Sequence, residues 1–228
     1  MNIRNHFPTE ELQKRDAAHH LHPFSSQNDV AKKGAKIITS AQGVYVYDSN
    51  GEQLLDAMAG LWCVNIGYGR EELAQAAERQ MRELPYYNTF FQTTHIPAID
   101  LSEKLAELAP GDLNHIFYAG SGSEANDTNI RIVRQYWAAI GHDEKNIIIS
   151  RKNAYHGSTL GGASLGGMNA MHQQGGLPIP NVHHINQPDW WAEGGDLSPE
   201  EFGLVRAKEL EDAITALGET RVAGFIAE

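Results

Sequence analysis

His115-Ile116-Phe117-Tyr118-Ala119-Gly120-Ser121-Gly122-Ser123-Glu124-Ala125-Asn126 runs from an apolar stretch, through a Gly/Ser turn, into a helix-forming segment. His115 to Ala119 reads as a strand, and Gly122 to Ile140 as a helix that Gly141 stops. The same alternation continues downstream. Asn146 to Ser150 is an apolar strand and Val182 to Ile185 a weaker one. Ser198-Pro199-Glu200-Glu201 has the capping-box spacing and a proline in the first turn, opening a helix that runs to Leu217-Gly218. Val222 to Ala227 is the next strand. Such alternation predicts an α/β fold: a mostly parallel sheet with helices on both faces and ligands at the carboxyl ends of its strands.

Upstream of that stretch the pattern is different. A helix from Pro8 to about His20 and the His19, His20, His22 cluster form an amino-terminal arm. Lys36 to Thr39, Val44 to Tyr47 and Gln53 to Asp56, separated by turn residues, predict a small antiparallel meander. Leu73, Ala76, Ala77, Met81 and Leu84 recur at helical spacing before Pro85, and a second helix follows Pro97 and stops at Pro110-Gly111. The division expected is an arm and small α+β piece over residues 1–65, then a large domain over residues 66–228.

Composition narrows the function classes. At 41% hydrophobic and 21% charged residues the chain is globular in type. Its net charge of -11 argues against a nucleic-acid partner, which requires lysines and arginines on phosphates. The single Cys63 excludes an internal disulfide framework. No long apolar stretch or secretion signal stands in the sequence, so a cytoplasmic protein without a membrane partner is expected. The histidines show no pair flanking a glutamate on a helix, so no metal site is expected.

Gly120 to Ala125 places backbone N–H groups and the positive end of a helix dipole where an anion can sit, with Ser121 and Ser123 as added donors. It lacks the Lys-Ser/Thr ending of a P-loop. It matches the spacing of a dinucleotide fingerprint but has no acid after the next strand, which ends at Ser150-Arg151-Lys152. Alone it indicates phosphate, or merely a flexible turn. Tyr155-His156-Gly157-Ser158 lies past that next strand, on the same rim, with an aromatic ring able to stack and an imidazole able to exchange a proton. A Tyr-His pair packing on its own loop fits equally. Trp62, among small residues, and Phe90-Phe91, after Tyr86-Tyr87, are either aromatic walls or core.

Together, Leu55-Asp56-Ala57-Met58-Ala59-Gly60-Leu61-Trp62, Gly120 to Asn126, Tyr155 to Ser158 and Phe225-Ile226-Ala227-Glu228 resemble, in order, the class III, fold-type I aminotransferases that use pyridoxal phosphate. Gly60 to Asn65, Tyr68 to Leu73 and the stretch from Ile179 to Asp196 resemble the ω-amine:pyruvate branch, and within it the putrescine or polyamine:pyruvate enzymes. The resemblance implies pyridoxal 5'-phosphate as cofactor, with Ser121, Gly122 and Ser123 on its phosphate, Tyr155 stacked on its ring, His156 beside it and Glu228 near the ring substituents. Leu61, Trp62 and Phe90 would wall the substrate pocket. An amine and pyruvate would be the small-molecule partners, and a homodimer the assembly.

The resemblance also implies a Schiff-base lysine and an acid for the pyridine nitrogen. In the family both follow the glutamate matched by Glu228. No catalytic residue of that kind is expected within the chain, which reads as the amino-terminal part of a longer polypeptide. Two alternatives stand beside this reading: a non-catalytic homologue that retains phosphate binding or assembly, and an NAD(P)-dependent oxidoreductase.

Overall fold

The computed structural model describes residues 8–228; the start of the expected arm, residues 1–7, lies outside the described residues. The chain forms two compact units, one up to Ile99 and one from Asp100 to Glu228.

In the first unit α1 (Thr9–His19) and α2 (Gln27–Lys33) precede a three-stranded antiparallel sheet. Its strands are β1 (Ile38–Gln42), β2 (Tyr45–Asp48) and β3 (Gln53–Leu55), in the order β1-β2-β3. The β2–β3 turn is set by Asp48, whose Oδ1 accepts from the N–H groups of Asn50 and Glu52 at 2.9 Å each. α3 (Ala59–Trp62) is a single turn with φ between 48° and 66° throughout, the left-handed sense that costs about 1–2 kcal/mol per non-glycine residue. α4 (Glu71–Glu83) follows as an amphipathic helix, and α5 (Ile96–Leu108) carries the chain into the second unit.

The second unit begins its α/β alternation with α6 (Gly122–Ala139), β4 (Ile147–Arg151), α7 (Leu160–Leu165) and α8 (Asn169–His172). Then come β5 (Val182–Ile185), α9 (Trp190–Glu193), α10 (Pro199–Leu217) and β6 (Val222–Phe225). The sheet is parallel with order β5-β4-β6. β4 is its centre, and Ile147, Ile148, Ile149 and Ser150 are all buried, as expected of a strand covered on both faces. Ile148 packs with Ile130 of α6 and Leu165 of α7. A fully buried isoleucine such as Ile149 contributes about 1.5–3 kcal/mol. Trp137 of α6 donates from Nε1 to Ala223 O of β6 at 2.9 Å, fixing the helix across the sheet. The capping box of α10 is present, with Ser198 and Glu201 bonding each other's backbone N–H groups.

One expected strand does not form. His115 to Ala119 has no ladder and Phe117 is exposed. A strand exists only through its neighbour's hydrogen bonds, and among the described residues no neighbouring strand lies alongside this apolar segment.

Candidate functional site

Because β4 and β6 are parallel, their carboxyl ends share one rim of the sheet. The loop after β4 carries Tyr155 to Thr159, and the chain after β6 carries Glu228. The two are joined directly: the Tyr155 N–H donates to Glu228 Oε2 at 2.5 Å.

The same loop is fastened to the start of α6. Ser158 N–H donates to Ser123 Oγ at 3.0 Å, and Asn126 Nδ2 donates to His156 O at 2.8 Å. Thr159, the N-cap of α7, donates from Oγ1 to Asp127 Oδ1 at 2.7 Å, and the same oxygen accepts from Gly162 N–H at 3.0 Å. Gly157 makes this approach possible. Its φ is 126°, and a Cβ there would stand 2.6 Å from Ser123 Oγ and 2.9 Å from Ser123 Cα.

Ser121 is the N-cap of α6, extended in backbone, and accepts from Glu124 N–H at 3.2 Å. Its hydroxyl hydrogen remains available to donate, as does that of Ser123. The N–H groups of Gly122 and Ser123 make no hydrogen bond among the described residues, as first-turn N–H groups of a helix commonly do not. A Cβ on Gly122 would meet nothing within 4 Å, so the space beside Gly122 is open. Donors on a helix N-terminus facing open space are suited to an anion such as a phosphate ester. Tyr155 is half exposed on the same rim. His156 is buried, and its Nε2 has no partner among the described residues. Burial pushes its imidazole below the ordinary value, while the Glu228 carboxylate pulls it partly back up. The residues present therefore fit a phosphorylated aromatic heterocycle.

The structure thus brings Ser121, Gly122, Ser123, Tyr155, His156 and Glu228 together. Leu61 and Trp62 belong to the first unit, on the left-handed turn α3, and Phe90 lies after α4 beside Phe91, with ring centroids 6.1 Å apart. All three are exposed there. Sequence reasoning quoted Asn126 in its motif without giving it a role and missed Asp127; both hold the loop. Asp127 follows Ser123 by four residues and so shares its helix face, a signal that was present in the spacing.

The model of the family described as "Aminotransferase class-III" matches residues 27–228. The chain belongs to the class-III aminotransferases. This family works with pyridoxal phosphate. The chain is 58% identical over 220 residues to the putrescine–pyruvate aminotransferase of Pseudomonas aeruginosa, covering 96% of this chain and 48% of that protein. It is 39% identical to the diaminobutyrate–2-oxoglutarate transaminase of Halomonas elongata, with the same coverages. The ω-transaminase of Pseudomonas jessenii, solved in complex with PMP, superposes with a TM-score of 0.92 at 38% identity, over 95% of this chain and 48% of that one. The (S)-enantioselective ω-transaminase of Thermomicrobium roseum gives 0.91 at 39%, over 96% and 48%. These neighbours establish the fold-type I architecture of the aminotransferase. The chain spans about half the length of the curated relatives it matches. Among the described residues no helix is long and apolar enough to cross a membrane.

Proposed function

We propose that the whole protein transfers an amino group from a primary amine, a diamine such as putrescine or an ω-amino acid, to pyruvate. The observation that carries this reading is the 58% identity to a putrescine–pyruvate aminotransferase across nearly the whole chain. Pyridoxal phosphate, when bound, supplies a ring that withdraws electrons from the carbon losing its proton.

The chain's own residues bind and orient. Gly122 and Ser123 N–H groups, with the Ser121 and Ser123 hydroxyls, hold the phosphate. Tyr155 offers its ring for stacking, and Glu228 fixes the Tyr155 backbone. Burial lowers the His156 imidazole and so favours its neutral form. Leu61, Trp62 and Phe90, exposed in the first unit, are the residues we propose for apolar contact with the amine, the Trp62 face being suited to a cationic end.

We place the lysine that this chemistry requires in the half of the relatives' length that this chain does not span. Each lysine of the second unit is engaged elsewhere: Lys104 with Glu107, Lys145 over Trp137, Lys152 with Asn186, and Lys208 with Glu211 and Asp212. We also place the protein in the cytoplasm as a homodimer, a reading supported by the free Cys63 and the exposed aromatics from Tyr86 to Phe91.

The test is alanine formation from pyruvate by the whole protein, with putrescine and a series of ω-amino acids as donors. Turnover with putrescine among the best donors is expected. No alanine from any amine would overturn the reading. Borohydride reduction followed by peptide mapping should leave the pyridoxyl group on a lysine outside residues 1–228; a label on Lys104, Lys145, Lys152 or Lys208 would contradict the assignment.

A further inference from the structure

A second group of chemically capable side chains converges at the end of α1, away from the residues of the rim in sequence. Asp16 lies on α1, His20 is the C-cap of that helix, and His22 follows in the turn before Pro23. His20 Nδ1 is 3.0 Å from Asp16 Oδ1, and His22 Nε2 is 2.7 Å from Asp16 Oδ2. The two imidazole centroids are 4.2 Å apart. One donor atom from each of the three residues lies within 4.8 Å of the others.

The backbone holds this arrangement in place. His20 N–H bonds Asp16 O at 2.8 Å, setting His20 back over the turn that carries Asp16. Gln27 Nε2 donates to His22 O at 2.9 Å, tying the second histidine to the start of α2. Asp16 and His22 are largely covered, with side chains 16% and 22% exposed, whereas His20 is 62% exposed. Both imidazoles reach the Asp16 carboxylate, one at each of its oxygens.

We propose that Asp16, His20 and His22 bind one divalent cation of the zinc type, with water completing its shell. Two imidazole nitrogens and one carboxylate are a donor set that zinc accepts. Metal-donor distances of about 2.0–2.2 Å are compatible with donor atoms that already lie within 4.8 Å of one another. The ion takes the place of the two hydrogen bonds: each neutral imidazole ligates through the nitrogen that faces Asp16 and keeps its one proton on the other ring nitrogen. Its structural effect is to lock the end of α1 to the turn that leads into α2. The expectation of no metal site came from seeking two histidines around a helical glutamate; here one donor lies on the helix, one caps it and one lies beyond it.

The experiment is calorimetric titration of Zn²⁺ into chelator-treated protein, with Co²⁺ absorption as a second readout. One Zn²⁺ per chain and visible Co²⁺ bands that Zn²⁺ abolishes are expected. His20→Ala, His22→Ala and Asp16→Asn should each weaken binding by at least the roughly 10–100-fold that loss of even an outer-shell partner costs. His142→Ala, at a separate His142–Glu144 pair, should bind as wild type. His20 is exposed enough that its alanine variant keeps the fold, which circular dichroism verifies, so that variant decides if the others fail to fold. No saturable binding, or His20→Ala binding Zn²⁺ like wild type, would overturn the proposal.

Discussion

Gly122 and Gly157 stand on either side of the same rim, and space separates their roles. At Gly157 a methyl group meets the Ser123 backbone and φ is 126°, so Gly157→Ala forces the loop off α6. A loss of about 1–3 kcal/mol in urea unfolding is expected, together with weaker cofactor binding. At Gly122 a methyl group meets nothing and the backbone is helical. Gly122→Ala should leave stability unchanged or raise it by up to about 1 kcal/mol, yet weaken cofactor binding, because the proposal puts the phosphate against this turn. Thermal melts without cofactor and absorbance titrations with it separate the two effects; equal cofactor affinity in Gly122→Ala would remove the phosphate from this turn. The histidines add a pH dependence. Burial lowers both His156 and His184 below the ordinary value of 6.5, the latter despite its bonds to Leu165 O and Gly166 O. The unfolded chain takes up these protons first, so stability is full above about pH 6.5. It falls as pH drops through that value toward the lower folded values. Unfolding midpoints measured from about pH 7.5 down to about pH 5 should decline in wild type, and the decline should be shallower in His184→Gln.

Among the elements, the left-handed turn α3 is the one whose conformation needs most support. Asp56 Oδ2 accepts from Gly60 N–H and from the Tyr68 hydroxyl at 2.7 Å each, and Trp62 N–H reaches Met58 O at 2.8 Å. A Cβ on Gly60 would stand 2.8 Å from Val64 Cγ2 and 2.9 Å from Tyr68 Oη. Gly60→Ala should therefore displace Tyr68 from Asp56 and speed amide exchange from Gly60 to Val64, whereas Ala59→Gly relieves strain and should slow it. Exchange measured by mass spectrometry checks both; unchanged protection in Gly60→Ala would show that the turn does not depend on this clamp. Elements like α4, α6, α10 and β4 were legible because their signals are local: apolar spacing, a Ser cap, a proline stop, a run of three isoleucines. α3 was not, because four consecutive positive φ values follow from Asp56 and Tyr68, which bracket the turn in sequence. α7 was not, because its Thr159 cap is set by Asp127 on another helix. His115 to Ala119 failed in the opposite sense: the apolar pattern is there, but pattern supplies no hydrogen-bond partner. The rim residues themselves were legible, since Gly/Ser before a helix and Tyr-His after a strand lie at predictable places in an α/β unit.

For the whole molecule, the quantity to be explained is apolar surface. In the first unit Tyr86, Phe90 and Phe91 are 78%, 69% and 95% exposed, a cluster of the kind that marks an interaction surface. From Pro85 to Thr94 the sequence carries no Asp, Glu, Lys or Arg. These 228 residues carry a net charge of -11, so an uncharged aromatic segment is the part of them best suited to meet a second copy. Burying one such aromatic is worth about 1.5–3 kcal/mol. The expected outcome is a dimer of the whole protein in sedimentation velocity. Phe91→Asp adds a charge to this surface and should weaken the dimer by at least about tenfold, equivalent to roughly 1.4 kcal/mol. A Lys14→Ala variant, changed in α1 outside this segment, serves as the control. A whole protein that sediments as a monomer while forming alanine from pyruvate would refute both the dimer and the assignment of Tyr86 to Phe91 to its interface.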